Sequence, residues 1–469
     1  MSLKVYNTFS REKEDFVPLH GNNVGMYVCG PTVYGYPHLG HAKSYISFDT
    51  IYRYLKYSGY NVKYVQNITD VGHLLKDADS GESKIEKQAK IESLDPYQIA
   101  YKYENAYFED MAKLNVLKPD ISCRATGHII EIIDMIKTLI DKGYAYVTTD
   151  NNVYYDVSKF NEYGKLSNRT IDDTLSGERI NVADDKKRPE DFALWKSADE
   201  NHLMRWPSPW GEGYPGWHIE CSVMSKKYLC ETFDIHGGGM DNMFPHHDCE
   251  IAQSEAANDK PFVKYFMHNN LVTVNGQKMG KSLGNSAYLK DIFEKYDPLV
   301  IRFYTLLSHY RKPTDFSDSN ILEAKKNYDS IVKAVNKISN LDNNFTEDSE
   351  IVDIKNKFLE AMDDDFNTSL AISYLYELVK IINTTNDENK LKCINNFFVN
   401  TVNPILGLSF KASVNNAETK EDELIKYIIG LRNKARSEKR FDLSDEIRDS
   451  LLKIGITLKD GREGTTYEK

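Results

Sequence analysis

The sequence predicts an α/β protein in which a parallel-sheet domain is interrupted by an insertion and followed by helices and a small C-terminal unit. Short apolar strands alternate with helical patterns over residues 24–70 and again from residue 214, which is typical of a doubly wound parallel sheet. From Ile321 onward, apolar residues recur at helical spacing instead. At 469 residues the chain is too long for a single hydrophobic core.

The composition is that of an ordinary globular protein, with 41% hydrophobic and 28% charged residues. Since no apolar run approaches the roughly 18 residues of a membrane span and the N-terminus lacks a signal-peptide core, we expect a cytoplasmic protein with no membrane association. The six cysteines are scattered without regular pairing, which favours reduced thiols. A formal charge of −11 argues against broad non-specific nucleic-acid binding, although an acidic body can still carry a basic face.

The first strand leads into residues 29–41, a glycine- and proline-rich turn from which a helix starts near Gly40. Such a turn points backbone N–H groups at an anion, and the helix dipole favours negative charge there. Gly40 has no side chain, so a flat ring such as adenine can lie close to the backbone. The turn therefore predicts a nucleotide-phosphate site beside His38 and His41, with Cys29 as a soft ligand at the same place. The competing interpretation is that the histidines cap the helix and Cys29 is an ordinary buried thiol.

The second strand, Asn61 to Ile68, ends in Thr69, which places a polar group at the carboxyl edge of the sheet, where ligands collect. Residues 77–118 have helical spacing and are predicted to cover the sheet. Residues 119–213 read as an insertion that begins with a helix and continues with a β-like stretch. Three tryptophans near its end are interpreted as core or interface anchors rather than as a binding platform: Trp195, Trp206 and Trp210.

The parallel-sheet pattern then resumes with a helix that contains Cys221, a short strand and a predicted loop of three glycines. The next helix presents His246 and Glu250 on one face, because they are four residues apart. Cysteine, histidine and glutamate side chains are all competent zinc ligands, so the sequence offers a candidate metal site of four residues: Cys29, Cys221, His246 and Glu250. Cys249, three residues after His246, is an alternative ligand that spacing alone leaves open, and His247 is only one residue away from His246.

The stretch 275–285 carries Lys278 and Lys281 in a glycine-flanked turn. It fails the phosphate-binding P-loop pattern by one residue, because only three residues separate Gly276 from Gly280. Two lysines three residues apart still suit a polyphosphate. The competing interpretation is a solvated basic turn.

The C-terminal third is predicted to be helical, with a polar linker at residues 409–422 and a separate small unit after it. Within that unit, the stretch Leu431 to Arg440 carries five basic side chains against one glutamate. A solvated helix face is the simpler interpretation of such a stretch. A nucleic-acid contact is favoured here because the stretch runs against the acidic balance of the whole chain.

These motifs resemble the signatures of the class I aminoacyl-tRNA synthetases, and specifically of the cysteinyl-tRNA synthetase family. His38-Leu39-Gly40-His41 is similar to the HIGH signature, and Lys278-Met279-Gly280-Lys281-Ser282 is similar to KMSKS. The resemblance runs nearly end to end, through residues 27–34, 67–70, 215–222, 234–254, 362–368 and the tail at 454–465. The chain departs from the family at Gly280, where serine is usual, and at Tyr467, where tryptophan is usual.

The resemblance implies a Rossmann-like class I synthetase catalytic domain split by an insertion, then an α-helical bundle and a small anticodon-binding unit. The expected boundaries are residues 1–118 for the first catalytic half, 119–213 for the connective insertion near the tRNA acceptor end, 214–265 for the second half, 266–320 for a stem-contact region with the KMSKS-like loop, 321–408 for the bundle and 423–469 for the C-terminal unit.

The implied activity is ATP-dependent ligation of L-cysteine to tRNA(Cys) through a cysteinyl adenylate, carried out by a monomer. The expected catalytic residues are His38, His41, Lys278 and Lys281; the ATP site adds Gly40, Gly237, Gly238 and Gly239; the substrate site has Cys29, Thr69 and Trp217. One zinc ion per chain is expected to select the cysteine thiolate, held by Cys29, Cys221, His246 and Glu250, and Mg²⁺ is expected with ATP. The rival functions are a cysteine ligase with an amino-sugar acceptor, disfavoured by the basic tail, and a non-catalytic tRNA-binding relative, disfavoured by the two lysines.

Overall fold

The computed structural model describes residues 2–74, 83–169, 185–199, 202–278, 287–410, 420–461 and 464–468. The chain divides into two compact units, residues 1–410 and residues 411–469. The strands of the first unit are β1 (Lys4–Asn7), β2 (Glu12–Asp15), β3 (Asn23–Val28), β4 (Asn61–Ile68), β5 (Ile121–Arg124), β6 (Ala145–Val147), β7 (Val153–Tyr155), β8 (Phe192–Ser197), β9 (Trp206–Ser208), β10 (Gly211–Pro215), β11 (Phe233–Gly239), β12 (Val263–Asn269), β13 (Val272–Val274), β14 (Gln277–Lys278) and β15 (Thr314–Phe316).

The described helices of the first unit are α1 (Leu39–Tyr57), α2 (Lys84–Glu92), α3 (Pro96–Lys113), α4 (Ile129–Asp141), α5 (Ile219–Leu229), α6 (Asp248–Asn258), α7 (Leu289–Ile292), α8 (Pro298–Leu306), α9 (Asp318–Ile338), α10 (Ser349–Asp363), α11 (Thr368–Thr384), α12 (Glu388–Phe397) and α13 (Asn403–Leu406). In the parts of the chain that are described, none of the helices is long and apolar enough to cross a membrane.

A five-stranded sheet in the order β12-β11-β3-β4-β5 forms the centre of the first unit, and every neighbouring pair is parallel. The predicted doubly wound sheet is therefore confirmed. The edge strand β5, however, lies inside the stretch 119–213 that the sequence assigned to the insertion, and it pairs with β4. Its four residues, Ile-Ser-Cys-Arg, contain no apolar run, so pattern alone could not separate this strand from the insertion.

The glycines predicted to form a loop after β11 instead belong to the strand and pair with β12. A Cβ atom on Gly237 would lie 2.4 Å from the ring of Phe48, and one on Gly238 would lie 2.7 Å from the ring of His247. The prediction of a loop was wrong because glycine here permits the close approach of packed rings, which sequence alone cannot distinguish from a turn.

The insertion folds around a second sheet, antiparallel and in the order β6-β7-β8-β10-β9. Trp195 is fully buried in its core, and its ring lies 6.1 Å from that of Trp210. Trp206 and Trp210 are partly buried and pack against the same core, so these tryptophans do act as core or interface anchors. Strand β10 continues to Pro215, so the antiparallel sheet extends slightly beyond the expected boundary at residue 213.

The predicted helices after Ile321 are present as α9 to α13, with their apolar faces buried. The turn between α10 and α11 is joined to β1 and to the segment after α8 through the buried carboxylate of Asp365. That carboxylate accepts hydrogen bonds from the Tyr6 N–H at 2.8 Å, the Tyr310 hydroxyl at 2.7 Å and Arg311 Nε at 2.7 Å.

The second unit contains α14 (Lys420–Ser437), α15 (Phe441–Lys453) and a hairpin of β16 (Thr457–Gly461) and β17 (Gly464–Glu468). Its small core consists of Ile425, Ile429, Leu451 and Ile456, and Tyr467 packs against it. Both terminal nitrogens of Arg432 donate to Asp460 at 2.8 Å, and Arg436 donates to the same carboxylate at 2.8 Å. Arg432 and Arg436, two of the five basic residues predicted to contact nucleic acid, are therefore paired with a carboxylate of the same unit.

Candidate active site

A cavity of about 420 Å³ opens at the carboxyl ends of β3, β4 and β12, where ligands bind in open α/β sheets. Most of the predicted site residues meet there: Cys29, His38, Gly40, His41, Thr69, Trp217, Cys221, Gly239 and His246 line its wall. Glu250 lies behind this wall, whereas Gly237 and Gly238 are packed within β11. The predicted Lys281 lies outside the described residues, and of Lys278 the structure describes only the backbone, at the end of β14.

The two histidines of the first turn cap helix α1 and also line the cavity. Nδ1 of His38 accepts a hydrogen bond from the Gly40 N–H at 3.1 Å, and Nδ1 of His41 accepts one from the His38 N–H at 3.1 Å. The two rings stack with their centroids 3.9 Å apart. The two interpretations of the sequence are thus compatible, because capping fixes both imidazoles at the positive end of the helix.

Cys29, Cys221, His246 and Glu250 form a buried cluster whose ligand atoms all lie within 4.8 Å of one another. The distances are 3.8 Å between the two sulfur atoms, 3.7 Å from Cys221 Sγ to His246 Nε2, 3.6 Å from Cys29 Sγ to Glu250 Oε1 and 3.0 Å from His246 Nε2 to Glu250 Oε1. A tetrahedral zinc ion with bonds of about 2.0–2.3 Å holds its ligands about 3.3–3.8 Å apart. Three of the four distances fall in that range, so the donor set fits zinc.

Further hydrogen bonds orient these ligands. Nδ1 of His246 lies 2.8 Å from Nδ1 of His218, which leaves Nε2 of His246 facing the two thiols. The second carboxylate oxygen of Glu250 lies 2.6 Å from Nε2 of His236. Partners of this kind fix the orientation of metal ligands in known sites.

A second donor set overlaps the first and consists of Cys29, His236, His247 and Glu250. Nε2 of His247 lies 3.4 Å from Cys29 Sγ, and Nδ1 of His247 lies 2.8 Å from Nε2 of His268. Sequence reasoning missed His236 as a candidate ligand and noted His247 only as the neighbour of His246. The first set is favoured because it contains two thiols and because Cys221 and His246 reach the cavity, whereas His236 and His247 do not.

The protonation of the cluster suits a cation at its centre. Burial raises the pKa of Cys221, but the hydrogen bond from Cys29 and the nearby His246 outweigh burial and lower that pKa to about 6. Burial also disfavours a charged His246, yet Glu250 and Cys221 raise its pKa to about 10. His236 and His246 hold the pKa of Glu250 well below its usual range despite burial. The lowered pKa values of Cys221 and Glu250 favour the deprotonated forms that a metal ion requires of its ligands.

Cys249, the alternative ligand, points away from the cluster. Its sulfur lies 3.3 Å from the hydroxyl of Tyr163, and the side chain packs in the core between the insertion and helices α5 and α6. Cys249 belongs to neither of the two donor sets found among the described residues.

Trp217 and Thr69 line the cavity beside the cluster. The ring of Trp217 stacks on that of His73 at 4.0 Å and lies 4.5 Å from that of His246. The hydroxyl of Thr69 donates to Glu220 Oε2 at 2.8 Å. No sequence signal pointed to His73 or Glu220, because each is recognisable only by the neighbour that the fold supplies.

Comparison with known proteins identifies the class of the fold. A family model described as "tRNA synthetases class I (C) catalytic domain" matches residues 15–326, and one described as "DALR domain" matches residues 357–411. Among solved structures, a methionyl-tRNA synthetase from Mycobacterium tuberculosis in complex with methionyl-adenylate is similar, with a TM-score of 0.59, 12% identity, and coverage of 82% of this chain and 92% of that one. The fold and site therefore define a class I aminoacyl-tRNA synthetase.

Curated relatives narrow this class. A protein of Chlorobium luteolum named cysteine–tRNA ligase is 50% identical over 100% of this chain and 99% of its own length. One of the same name from Bacteroides fragilis is 46% identical, with 99% of each chain covered. The chain belongs to the cysteine–tRNA ligase family.

Proposed function

We propose that this protein joins L-cysteine to tRNA(Cys) in two steps, as a cytoplasmic monomer. Cysteine and ATP first form cysteinyl adenylate and pyrophosphate, and the cysteinyl group then passes to the terminal adenosine of the tRNA. The observation that carries this proposal is the thiol–imidazole–carboxylate cluster at the wall of the cavity, beside the two histidines of helix α1.

In the first step, a carboxylate oxygen of cysteine attacks the α-phosphorus of ATP, and the bond to pyrophosphate breaks. Positioning and charge stabilisation dominate such a reaction. His38 and His41 are proposed to contact the α-phosphate as its negative charge spreads, since both are fixed at the positive end of α1. Gly40 and Gly239, which have no side chains and line the cavity, are proposed to let the adenine approach the backbone.

Lys278 and Lys281 are proposed to neutralise the departing pyrophosphate, with Mg²⁺ accompanying ATP. The support for these roles is the family motif. Gly280 in place of serine removes one hydroxyl from that motif.

Selection of cysteine is assigned to Cys29, Cys221, His246 and Glu250, which would hold one zinc ion. When bound there, zinc would attract the substrate thiolate far more strongly than the hydroxyl of serine. Shape alone separates such close analogues by only about 10–200-fold, so residues that only enclose the side chain would not suffice. Trp217 is proposed to wall this pocket and Thr69 to contact the amino acid, because both line the cavity beside the cluster.

The remaining regions are proposed to bind tRNA, the insertion near the acceptor end and the unit of residues 411–469 at the anticodon. In that unit Lys434, Lys439 and Arg440 are exposed at the end of α14 and just after it. Exposed cations on one short segment suit the phosphate backbone of RNA.

Cysteine-dependent ATP–pyrophosphate exchange on metal-analysed protein tests the proposal. We expect exchange with cysteine and not with serine, one zinc per chain, and cysteinylation of tRNA(Cys). Charging of an amino-sugar in place of tRNA would replace the proposed acceptor, and a protein without exchange would be a non-catalytic binder.

Replacing Lys281 by alanine is expected to slow exchange by about 10²–10³-fold, the effect of losing one preorganised charge contact in a transition state. Zinc content should be unchanged, because the lysine is not a metal ligand. Lys295→Ala removes an exposed lysine downstream and serves as the control. Exchange by Lys281→Ala at the rate of the control would remove Lys281 from the mechanism.

A further inference from the structure

Lys43 is a buried cation on helix α1, two residues after His41. Its side chain is only 1% exposed. The ammonium donates hydrogen bonds to the backbone carbonyl of Lys312 and, at 2.7 Å, to the hydroxyl of Thr314. Both acceptors are neutral, and burial lowers the pKa of Lys43 to about 8, so the group is still mostly protonated at pH 7. Burying a charge is costly unless it is both paired with an opposite charge and hydrogen-bonded, and these two acceptors are neutral, so a lysine at this position needs an explanation beyond packing.

The two acceptors connect α1 to the three-stranded sheet that leads into the KMSKS-like segment. Thr314 is the first residue of β15, which pairs with β13 through Val272. The other neighbour of β13 is β14, which ends at Lys278. Lys43 therefore holds the helix that begins with the two histidines against the sheet whose last strand ends at the first lysine of the motif.

The same helix is also joined to the chain that follows the segment 279–286. The backbone N–H of Leu39 donates to the carbonyl of Ala287 at 3.0 Å, and the N–H of Leu289 donates to the carbonyl of Pro37 at 2.9 Å. The start of α1 is therefore attached directly to the residues that follow that segment. Its link to β14, which precedes the segment, runs from Lys43 through β15 and β13.

We infer that Lys43 is a positioning residue for adenylate formation, which sets the distance between His38 and His41 on α1 and the strand that ends at Lys278. This inference rests on the proposed function. A displacement of about 1 Å between groups that act on the same phosphates costs on the order of 10²-fold in rate. The consequence should concern ATP, because the polar side-chain contacts described for the proposed zinc ligands are made with one another and with His218, His236 and His247, and do not include Lys43, Lys312 or Thr314.

Lys43→Met, Thr314→Val and the double variant test the inference by ATP–pyrophosphate exchange. Each single variant is expected to lower kcat and to raise KM for ATP, so that its kcat/KM for ATP falls by roughly 10–100-fold. The KM for cysteine should not change. Because the two side chains form one hydrogen bond with each other, their effects should not add. The kcat/KM of the double variant should be no lower than that of the more impaired single variant. Lys43→Arg keeps the charge and the donors and should recover part of the loss.

Ile46→Val is the matched control, since Ile46 is fully buried on the same helix and takes no part in the contact. It should lower the melting temperature without changing KM for ATP. If Lys43→Met and Thr314→Val change kinetics only as Ile46→Val does, or raise the KM values for ATP and cysteine equally, the inference is wrong. Failure of the parent protein to exchange with cysteine would instead overturn the proposed function, and the inference with it.

Discussion

Replacing Cys221 by serine is expected to reduce bound zinc from one per chain to almost none and to abolish the strong preference for cysteine over serine. Cys29→Ser should behave in the same way, since the two sulfur atoms lie 3.8 Å apart and supply the soft ligands of the site. Without the ion, only shape separates the two amino acids, so the preference in exchange should fall to about 10–200-fold or less. Zinc analysis and exchange with each amino acid measure the two effects.

Cys249→Ser is the matched control, because Cys249 is equally buried and lies one residue before Glu250 on the same helix. Its thiol is next to the hydroxyl of Tyr163 rather than the cluster. This variant should keep both its zinc and its preference for cysteine. A zinc-free Cys249→Ser protein would mean that the fourth ligand has been misassigned.

The overlapping donor set is tested by two neighbouring histidines. His246→Gln should lose zinc, whereas His247→Gln should retain it, because His246 lines the cavity and belongs to the set that contains both thiols. The opposite result would transfer the ion to the set with His236 and His247. Circular dichroism of both variants shows whether each is folded when its zinc is measured.

The parallel sheet and the main site residues could be predicted from sequence because each depends on local order along the chain. The turn before α1 places Gly40 and its two histidines by short-range geometry, and the spacing of His246 and Glu250 brings them to one helix face even though the preceding turn is irregular at Phe244. Cys29 follows a buried strand directly, so its position at the sheet edge follows as well.

What could not be predicted depends on partners far apart in the chain. His236 contacts Glu250 only because β11 and α6 pack together, and Lys43 gains its role from residues 312–314, roughly 270 positions away. Arg432 belongs to a basic stretch in the sequence, yet Asp460 on the hairpin holds it inside the second unit. A sequence pattern indicates which interactions a side chain is able to make, whereas the tertiary fold determines which of them it makes.

Removing residues 411–469 is expected to leave cysteine-dependent exchange within a few-fold of the parent and to reduce tRNA charging by at least about 10²-fold. The division at residue 410 leaves a compact unit that contains the whole cavity and all four proposed zinc ligands. Adenylate formation therefore retains its machinery. Charging should decrease because the truncated protein lacks the unit proposed to bind the anticodon. A loss of about 2.8 kcal/mol in RNA-binding free energy weakens the affinity for tRNA by about 100-fold.

A triple variant of the full chain, with Lys434, Lys439 and Arg440 changed to alanine, shows whether the effect of the truncation comes from these cations or from loss of the whole unit. All three side chains are exposed, so the unit should stay folded. If the unit binds RNA through these cations, the variant should raise KM for tRNA and weaken its salt dependence, with exchange unchanged. Charging that survives both the truncation and the triple substitution would show that residues 411–469 do not read the anticodon.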